Sequence, residues 1–486
     1  MERARVMLLL RSGHFEVEQD WSVLSPLHSL TRTSSVPLIV APPSEVSTRE
    51  GFAFLPRPSS RTAEQEWNME VLYTRCCGLD VHKASVTACC RWKDEAGQSQ
   101  KEIRRFGTYT SQLRELASWL RQQQVEKVAM ESTGSYWRPI WNELESAGLP
   151  LLLANAHHIK NVPGRKSDVL DPEWISDLLQ HGLIKGSFVP ERKMRDLRDL
   201  TRMRSKVVAD HTRVVNRIQA VLEDANIKLG NVVSDILGVS SRDMLQGLIE
   251  GRSPGELAEL ARGRLRSKLE ELQQALEGNV RPEHSFLLKR LLMQTRFLEQ
   301  QERSLRREVV RHLDEPAREA IRLWDTIPGV NQAVAWVMVA EMGTRVEQFP
   351  DAHHAASWTA MCPGNNESAG KRRSGKTRKG DNWLRAALCE AAWAVSRSKG
   401  TYLSALFRRI AARKGKKRAI VAVGHAILII AYEMLKKHEP YRELGENYFD
   451  NINPEKTASR LIRRLQNMGY QVLITREIVE TAAAPN

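Results

Sequence analysis

Between Val71 and His181 the chain changes its hydrophobic period several times, and the order of those changes limits the folds open to it. Cys76–Cys90 (CCGLDVHKASVTACC) is rich in strand formers and carries Asp80 near its middle; Lys101–Phe106 reads as a neighbouring strand. Thr110–Gln124 then takes a helical period, with Leu113, Leu116 and Leu120 spaced for one face. Val125–Glu131 is a short strand ending in a carboxylate. Ser132-Thr133-Gly134-Ser135 turns the chain into a second helix, Tyr136–Ala147. Leu151–Ala154 is apolar enough for a buried strand. Pro150 precedes it, where a sheet ladder does not need the missing N–H. A basic loop, Lys160 to Lys166, leads to a helix from about Pro172 to His181. Strands in a run, followed by strands alternating with helices, predict a mixed α/β sheet.

Helices dominate the chain from residue 191 onwards. Met194–Asp224 predicts one long helix with Leu197, Leu200, Val207, Val214 and Ile218 along one face. Glycines and Pro254 break the pattern from Gly230, and Gly255–Gly278 and Phe286–Leu313 predict two further helices. Antiparallel or intermolecular coiled-coil packing is expected of residues 191–315. Ile327-Pro328-Gly329-Val330 forms a tight turn before a helix at Ala333–Met342. Helix–IPGV–helix resembles a helix-hairpin-helix element, whose hairpin amides bind phosphate oxygens; a plain αα-corner would read the same. Helices follow at Asp381–Ser398 and Ala419–Lys437. The tail, 441–486, ends in a small helix, Thr457–Met468, and an apolar strand-like piece. Residues 1–68 show Ser-Pro and Pro-Pro clusters without periodicity. They read as disordered or as an upstream extension of the reading frame, with Met69 an alternative start.

Net charge narrows the partners. At 486 residues and +15, the chain favours a polyanion. No apolar run approaches the roughly 20 residues that cross a bilayer, and Ala419–Leu435 reads as a buried helix, so a membrane partner is not expected. Between Asn365 and Arg418 stand 16 Lys/Arg against Glu367, Asp381 and Glu390. Such a segment binds nucleic acid by displacing counterions from phosphates. The six cysteines form no C-x-x-C pair, which argues against thiolate zinc sites and for reduced, buried thiols in a cytoplasmic protein.

Two sets of residues bear chemistry. Asp80, Glu131, Asp168 and Asp171 are the first. Each taken alone has an ordinary structural use: Asp168 and Asp171 suit helix caps, and Glu131 could pair with a lysine. Buried carboxylates are costly unless paired or metal-bound, and four brought to one sheet edge would be relieved by a hard divalent cation, Mg²⁺. That grouping suits phosphodiester chemistry. The second set lies in Cys362–Arg385, CPGNNESAGKRRSGKTRKGDNWLR. Turn-forming residues lead to Ser368. The cations Lys371, Arg372, Arg373, Lys376, Arg378 and Lys379 follow, with Asp381 as the cap of the next helix. A solvated basic loop and a nucleophilic serine beside a phosphate are both open readings. Ser374 is the rival serine. His82 falls two residues from Asp80, and Trp137 and Trp383 are candidates for stacking on nucleic acid.

GLDVHK at Gly78–Lys83, MESTGSYW at Met130–Trp137 and GRKSDVLD at Gly164–Asp171 resemble the acidic motifs of insertion-sequence transposases with a RuvC-like DEDD domain, kin to the Piv DNA invertases. IPGV at Ile327, F-x₈-W at Phe349–Trp358, PGNNESAGKRRSG at Pro363–Gly375 and KGDNWLR at Lys379–Arg385 extend the resemblance in motif order over about residues 69–470. It implies a ribonuclease H-like (RuvC-like) catalytic domain at 69–190, a helical coiled-coil linker at 191–315 and a mainly helical transposase domain at 316–440. Asp80, Glu131, Asp168 and Asp171 would bind Mg²⁺, and Ser368 would form a covalent serine–DNA link. Lys371, Arg372, Arg373, Lys376, Arg378 and Lys379 would hold nucleic acid.

The function so implied is that of a DNA transposase or recombinase performing phosphoryl transfer. Its partners would be DNA, a structured non-coding guide (bridge) RNA and further copies of itself as a dimer or tetramer. Its setting would be the prokaryotic cytoplasm, at the nucleoid. The rival readings are a RuvC-like junction-resolving nuclease without a covalent intermediate, and a non-enzymatic nucleic-acid-binding protein.

Overall fold

The computed structural model describes residues 71–473 apart from 95, 133, 157–158, 160–170, 363–365, 369–370, 375–376 and 378–379; residues 366–368 and 371–374 are described by their backbone. The described residues fall into two units, one ending at Val189 and the other beginning at Pro190.

The first unit is a six-stranded mixed sheet in the order β3-β2-β1-β4-β5-β6. β1 (Arg75–Val81), β2 (Ser85–Lys93) and β3 (Ser99–Gly107) form antiparallel hairpins. Helix α1 (Thr110–Gln122) carries the chain to β4 (Lys127–Glu131), which lies parallel to β1. Helix α2 (Trp137–Ser146) leads to β5 (Leu151–Ala154), parallel to β4. Pro150 fits its place, since its carbonyl accepts from the Val128 N–H at 3.0 Å. Helix α3 (Asp171–Gln180) precedes a short antiparallel edge strand, β6 (Gly186–Ser187).

Both sheet faces are covered, as parallel strands require. Leu79, Val81, Val128 and Met130 pack with Leu113, Leu116 and Leu120 of α1 and with Ile140 and Leu144 of α2. Each buried leucine contributes roughly 2 kcal/mol. On the opposite face, Cys76, Ala129 and Ala154 lie under Trp174, Ile175 and Leu178 of α3. The arrangement is consistent with a ribonuclease H-like α/β domain.

One expectation changes here. Asp80 does not lie mid-strand in a single Cys76–Cys90 run: the run is two strands, closed by a bond from the His82 N–H to the Ser85 carbonyl at 2.9 Å. Asp80 is therefore the penultimate residue of β1.

The second unit starts with a long antiparallel pair, α4 (Arg192–Asp224) and α9 (Pro282–His312). Arg204 pairs with Glu302, His211 with Glu299 and His284 with Asp224, so residue numbers rise on one helix as they fall on the other. Four short helices cap the pair: α5 (Leu229–Val232), α6 (Val239–Ile249), α7 (Pro254–Ala258) and α8 (Leu269–Leu276). They share a core of Ile218, Leu222, Leu245, Leu257, Leu272 and Leu288. The single helix expected over Gly255–Gly278 is instead α7, a 3₁₀ segment (Gly263–Lys268) and α8. Arg262 is extended and Gly263 has φ +57°, which together interrupt the helical path.

The helical C-terminal part contains α10 (Glu315–Trp324), α11 (Gln332–Met342), α12 (Ala352–Trp358), a hairpin of β7 (Asn366–Ser368) and β8 (Lys371–Ser374), α13 (Asn382–Arg397), α14 (Tyr402–Lys414) and α15 (Lys416–Lys437). Trp324 and Trp336 are fully buried at its centre, and the Trp324 indole donates to the Ala431 carbonyl at 3.0 Å. The IPGV turn joins α10 to α11. Gly329 has φ +86°, and a Cβ there would lie 2.5 Å from the Ala391 carbonyl oxygen, so the turn tip is seated on α13. Phe349 and Trp358 of the F-x₈-W motif pack ring against ring, centroids 5.5 Å apart.

Among the described residues α15 alone is long and apolar enough to cross a membrane, and most of it is buried in the core. Helices α16 (Tyr448–Asn451) and α17 (Pro454–Asn467) close the described chain. Residues 471–473 form no strand, so the strand-like piece expected there is not seen in its described part.

Candidate active site

Two carboxylates come together through strand pairing. In the parallel β1–β4 ladder Gly78 faces Ala129 and Leu79 faces Met130. One step further along both strands stand Asp80 and Glu131, at their C-terminal ends. Neighbouring strands lie about 4.8 Å apart, and aligned residues of parallel strands share a face. That face is the one α3 covers, since Cys76 and Ala129, an even number of residues back along each strand, belong to the core beneath α3.

Gly78 sets how closely α3 can approach. A Cβ at this position would lie 2.3 Å from the Pro172 carbonyl oxygen and 2.5 Å from the Ser176 nitrogen. The first turn of α3 therefore rests on bare backbone two residues before Asp80, and Asp171 opens that turn. Pro172 is tolerated there because a first-turn residue needs no N–H partner. The Cys76 thiol donates to the Ser176 carbonyl at 3.4 Å, and the Ser176 hydroxyl reaches the Cys89 sulfur at 3.4 Å, holding the helix down.

Asp80 is one-fifth exposed and bonded to His82 Nε2 at 3.0 Å, while Asp171 is exposed. His82 thus meets Asp80 from just beyond the strand. Asp168 lies outside the described residues. Among the described residues no three His, Cys, Asp or Glu side chains converge as a metal cage. The oxygen donors of Asp80 and Glu131, with Asp171 at the same end of the sheet, have the hard-ligand chemistry that Mg²⁺ takes.

Ser368 is the last residue of β7 and Lys371 the first of β8. The two are Cα partners, as are Glu367 and Arg372; Asn366 pairs with Ser374, which leaves Arg373 as the extra residue of the ladder. The expected basic loop is thus a β-hairpin in its described part. Lys376, Arg378 and Lys379 lie outside the described residues.

The hairpin leaves into a strongly held helix start. Asp381 caps α13, accepting from the Leu384 N–H at 2.7 Å as expected. The same carboxylate lies 3.5 Å from Arg202 of α4. Arg202 also forks onto Glu341 of α11 at 2.7 and 2.8 Å, and Arg198 adds a contact at 3.0 Å. Glu341 is only 1% exposed. Burial holds its carboxyl above the usual glutamate value, an effect the Arg202 and Arg198 cations only partly offset. Sequence reasoning missed this network. The signal was available: Glu341 is the one charged residue in Gln332–Met342.

Both tryptophan candidates are half-buried. Trp383 lies beneath Arg202 and Lys206, each 5.9 Å from a ring centroid, and Trp137 packs edge-on against Trp141. His354 pairs with Asp351, and His157 and His158 lie outside the described residues. All six cysteines are free; burial pushes Cys76 up to about 12 and Cys389 to about 11, which makes these thiols unreactive.

Residues 77–227 match a family model for DEDD transposases of the IS110 type. Residues 321–408 match a second model, described as Transposase IS116/IS110/IS902 family. The chain is a DNA transposase. Both matches support the IS110 DEDD type. The first begins within β1, three residues before Asp80, and takes in β4 and α3; the second runs from α10 through the hairpin into α14. With enzymatic function assigned, the reading as a non-enzymatic binding protein falls. A comparison with curated proteins finds no match to the transposase.

Proposed function

We propose that the transposase moves an insertion sequence by cutting and rejoining DNA through a covalent link between DNA and Ser368. Asp80, Glu131, Asp168 and Asp171 would hold Mg²⁺, whose part when bound is to activate the attacking oxygen and stabilise the leaving one. A structured non-coding RNA is its guide, and it works as a homo-oligomer, a dimer or tetramer. The observation that carries the acidic half of this reading is the side-by-side placement of Asp80 and Glu131 at the ends of paired parallel strands. The serine and RNA parts rest on the motif resemblance.

In the cutting step the Ser368 oxygen attacks phosphorus. The serine–phosphorus bond forms as a deoxyribose oxygen leaves. The hydroxyl proton is lost, and the leaving oxygen gains one. Rejoining runs the exchange backwards with a strand end as nucleophile, so no external energy source is needed. Lys371, Arg372 and Arg373 offset charge on the phosphoryl oxygens as it builds in the transition state; Lys376, Arg378 and Lys379 add backbone contacts.

Ser368→Ala should abolish the protein–DNA adduct seen after denaturation while DNA binding stays within a few-fold. An adduct that persists in Ser368→Ala would remove the serine assignment. Asp80→Asn should lower strand cleavage by at least about 10²-fold, the scale of losing a group that stabilises transition-state charge. Undiminished cleavage by that variant would remove the acidic site. Cleavage without any adduct in the native enzyme would favour the junction-resolving nuclease.

A further inference from the structure

The sequence RRIAARKGKKR, Arg408–Arg418, holds seven cations and no acid. It folds as the corner between α14 and α15, with Gly415 as the joint. The buried sides of both helices fix this corner in place. Leu403, Leu406 and Phe407 of α14 and Ala419, Ile420 and Val423 of α15 belong to one core.

The seven cations divide by what engages them. Arg408 pairs with Glu446, and Arg409 lies over the Phe449 ring at 5.1 Å. Arg413, Lys414, Lys416 and Arg418 have no ion pair among the described residues. Arg413 and Lys414 close α14, where the negative end of the helix dipole favours them. Lys416 and Arg418 sit with Lys417 in the first turn of α15, where the positive end repels them. Lys417 is itself engaged, but for Lys416 and Arg418 folding gives no such reason. A polyanion does, because clustered cations on a rigid corner gain affinity by releasing counterions from phosphates.

We infer that the α14–α15 corner is a docking surface for the phosphate backbone of duplex DNA, additional to the β7–β8 hairpin and independent of the Ser368 assignment. Duplex DNA is the occupant because the enzyme acts on DNA and four unpaired cations match a row of backbone phosphates in charge.

The test uses the full-length transposase and a fluorescent DNA duplex of random sequence, titrated at several salt concentrations. The variant is Arg413→Gln, Lys414→Gln, Lys416→Gln and Arg418→Gln together. Its plot of log affinity against log salt should be shallower by about 0.9 for each phosphate that is no longer neutralised, about 3.6 for all four. Low-salt affinity should fall at least tenfold. The melting temperature of Lys416→Gln with Arg418→Gln should equal or exceed the native value, because first-turn cations are removed. Arg413→Lys with Arg418→Lys should keep native binding. An unchanged slope and affinity would overturn the proposal. So would a loss of affinity accompanied by a lowered melting temperature in the double variant, which would assign the residues to folding. A loss confined to structured RNA of equal length, with duplex DNA bound as before, would overturn the choice of partner.

Discussion

Gly78 shows how much one missing side chain can decide. Its neighbours in β1 are ordinary strand residues, yet the α3 backbone rests against it. Gly78→Ala would put a methyl group 2.3 Å from the Pro172 carbonyl oxygen, with backbone atoms rather than a flexible side chain in the way. The expected outcome is a loss of about 1–3 kcal/mol of stability, the usual cost of overpacking. Strand cleavage should fall further than stability alone explains, because α3 carries Asp171. Thermal melting and single-turnover cleavage, measured together, check both parts. Asp80 and Glu131 were identifiable as candidate ligands by residue type, and Glu131 also by its place at a strand end. The role of Gly78 was not, since a glycine in a strand marks close approach without saying by what.

At the scale of elements, most helices and strands follow from local pattern. Leu113, Leu116 and Leu120 predict α1 and are buried as their spacing requires. Leu151–Ala154 is β5 without adjustment, and Asp381 caps α13. The failures are also local in origin. Arg262 and Gly263 break a run whose composition looks helical, and α14 follows a Ser-Lys-Gly-Thr stretch with no strong periodic signal of its own. What joins the elements was less visible.

Glu341, Arg198 and Arg202 fasten α4 to α11, and Arg202 reaches the capping Asp381 after the hairpin. Glu341→Ala leaves two guanidinium groups without their buried partner. It should destabilise the second unit by about 3–5 kcal/mol. Denaturant unfolding followed by tryptophan fluorescence would measure this, because Trp336 lies on the same helix; a loss under about 1 kcal/mol would contradict the role given to the network. Glu341→Asp, with its shorter reach, should recover only part of the loss.

At the scale of the molecule, each unit keeps its own core, and the long helices α4 and α9 are tied by charge as well as by apolar contact. Glu299 of α9 accepts from Arg242 of α6 and lies 3.3 Å from His211 of α4. Burial raises its pKa, but the Arg242 hydrogen bond and charge, with His211, outweigh that and hold it below the usual carboxylate value. A depressed carboxylate stabilises the fold above its unfolded pKa, and that contribution disappears as pH falls through the native value. Glu299→Gln should therefore cost about 1–2 kcal/mol at neutral pH, the worth of hydrogen bonds to a charged group. The difference from the native chain should begin to shrink as pH falls below about 4 and be lost only once the depressed native value is passed. Melting curves across the acid range test this; a difference independent of pH would assign the cost to packing.

The sequence alone determined most of the elements and their order, the acidic and serine motifs and the basic character of the C-terminal part. Those properties depend on neighbours within a few residues: spacing of apolar side chains, caps, turns and local charge. Only the tertiary structure decided that β1 lies between β2 and β4, that Asp80 and Glu131 end adjacent strands, and that Gly78 lets α3 settle beside them. About 50 residues of chain separate Asp80 from Glu131. No local preference selects that pairing; it follows from burying both sheet faces at once, under α1 and α2 on one side and α3 on the other.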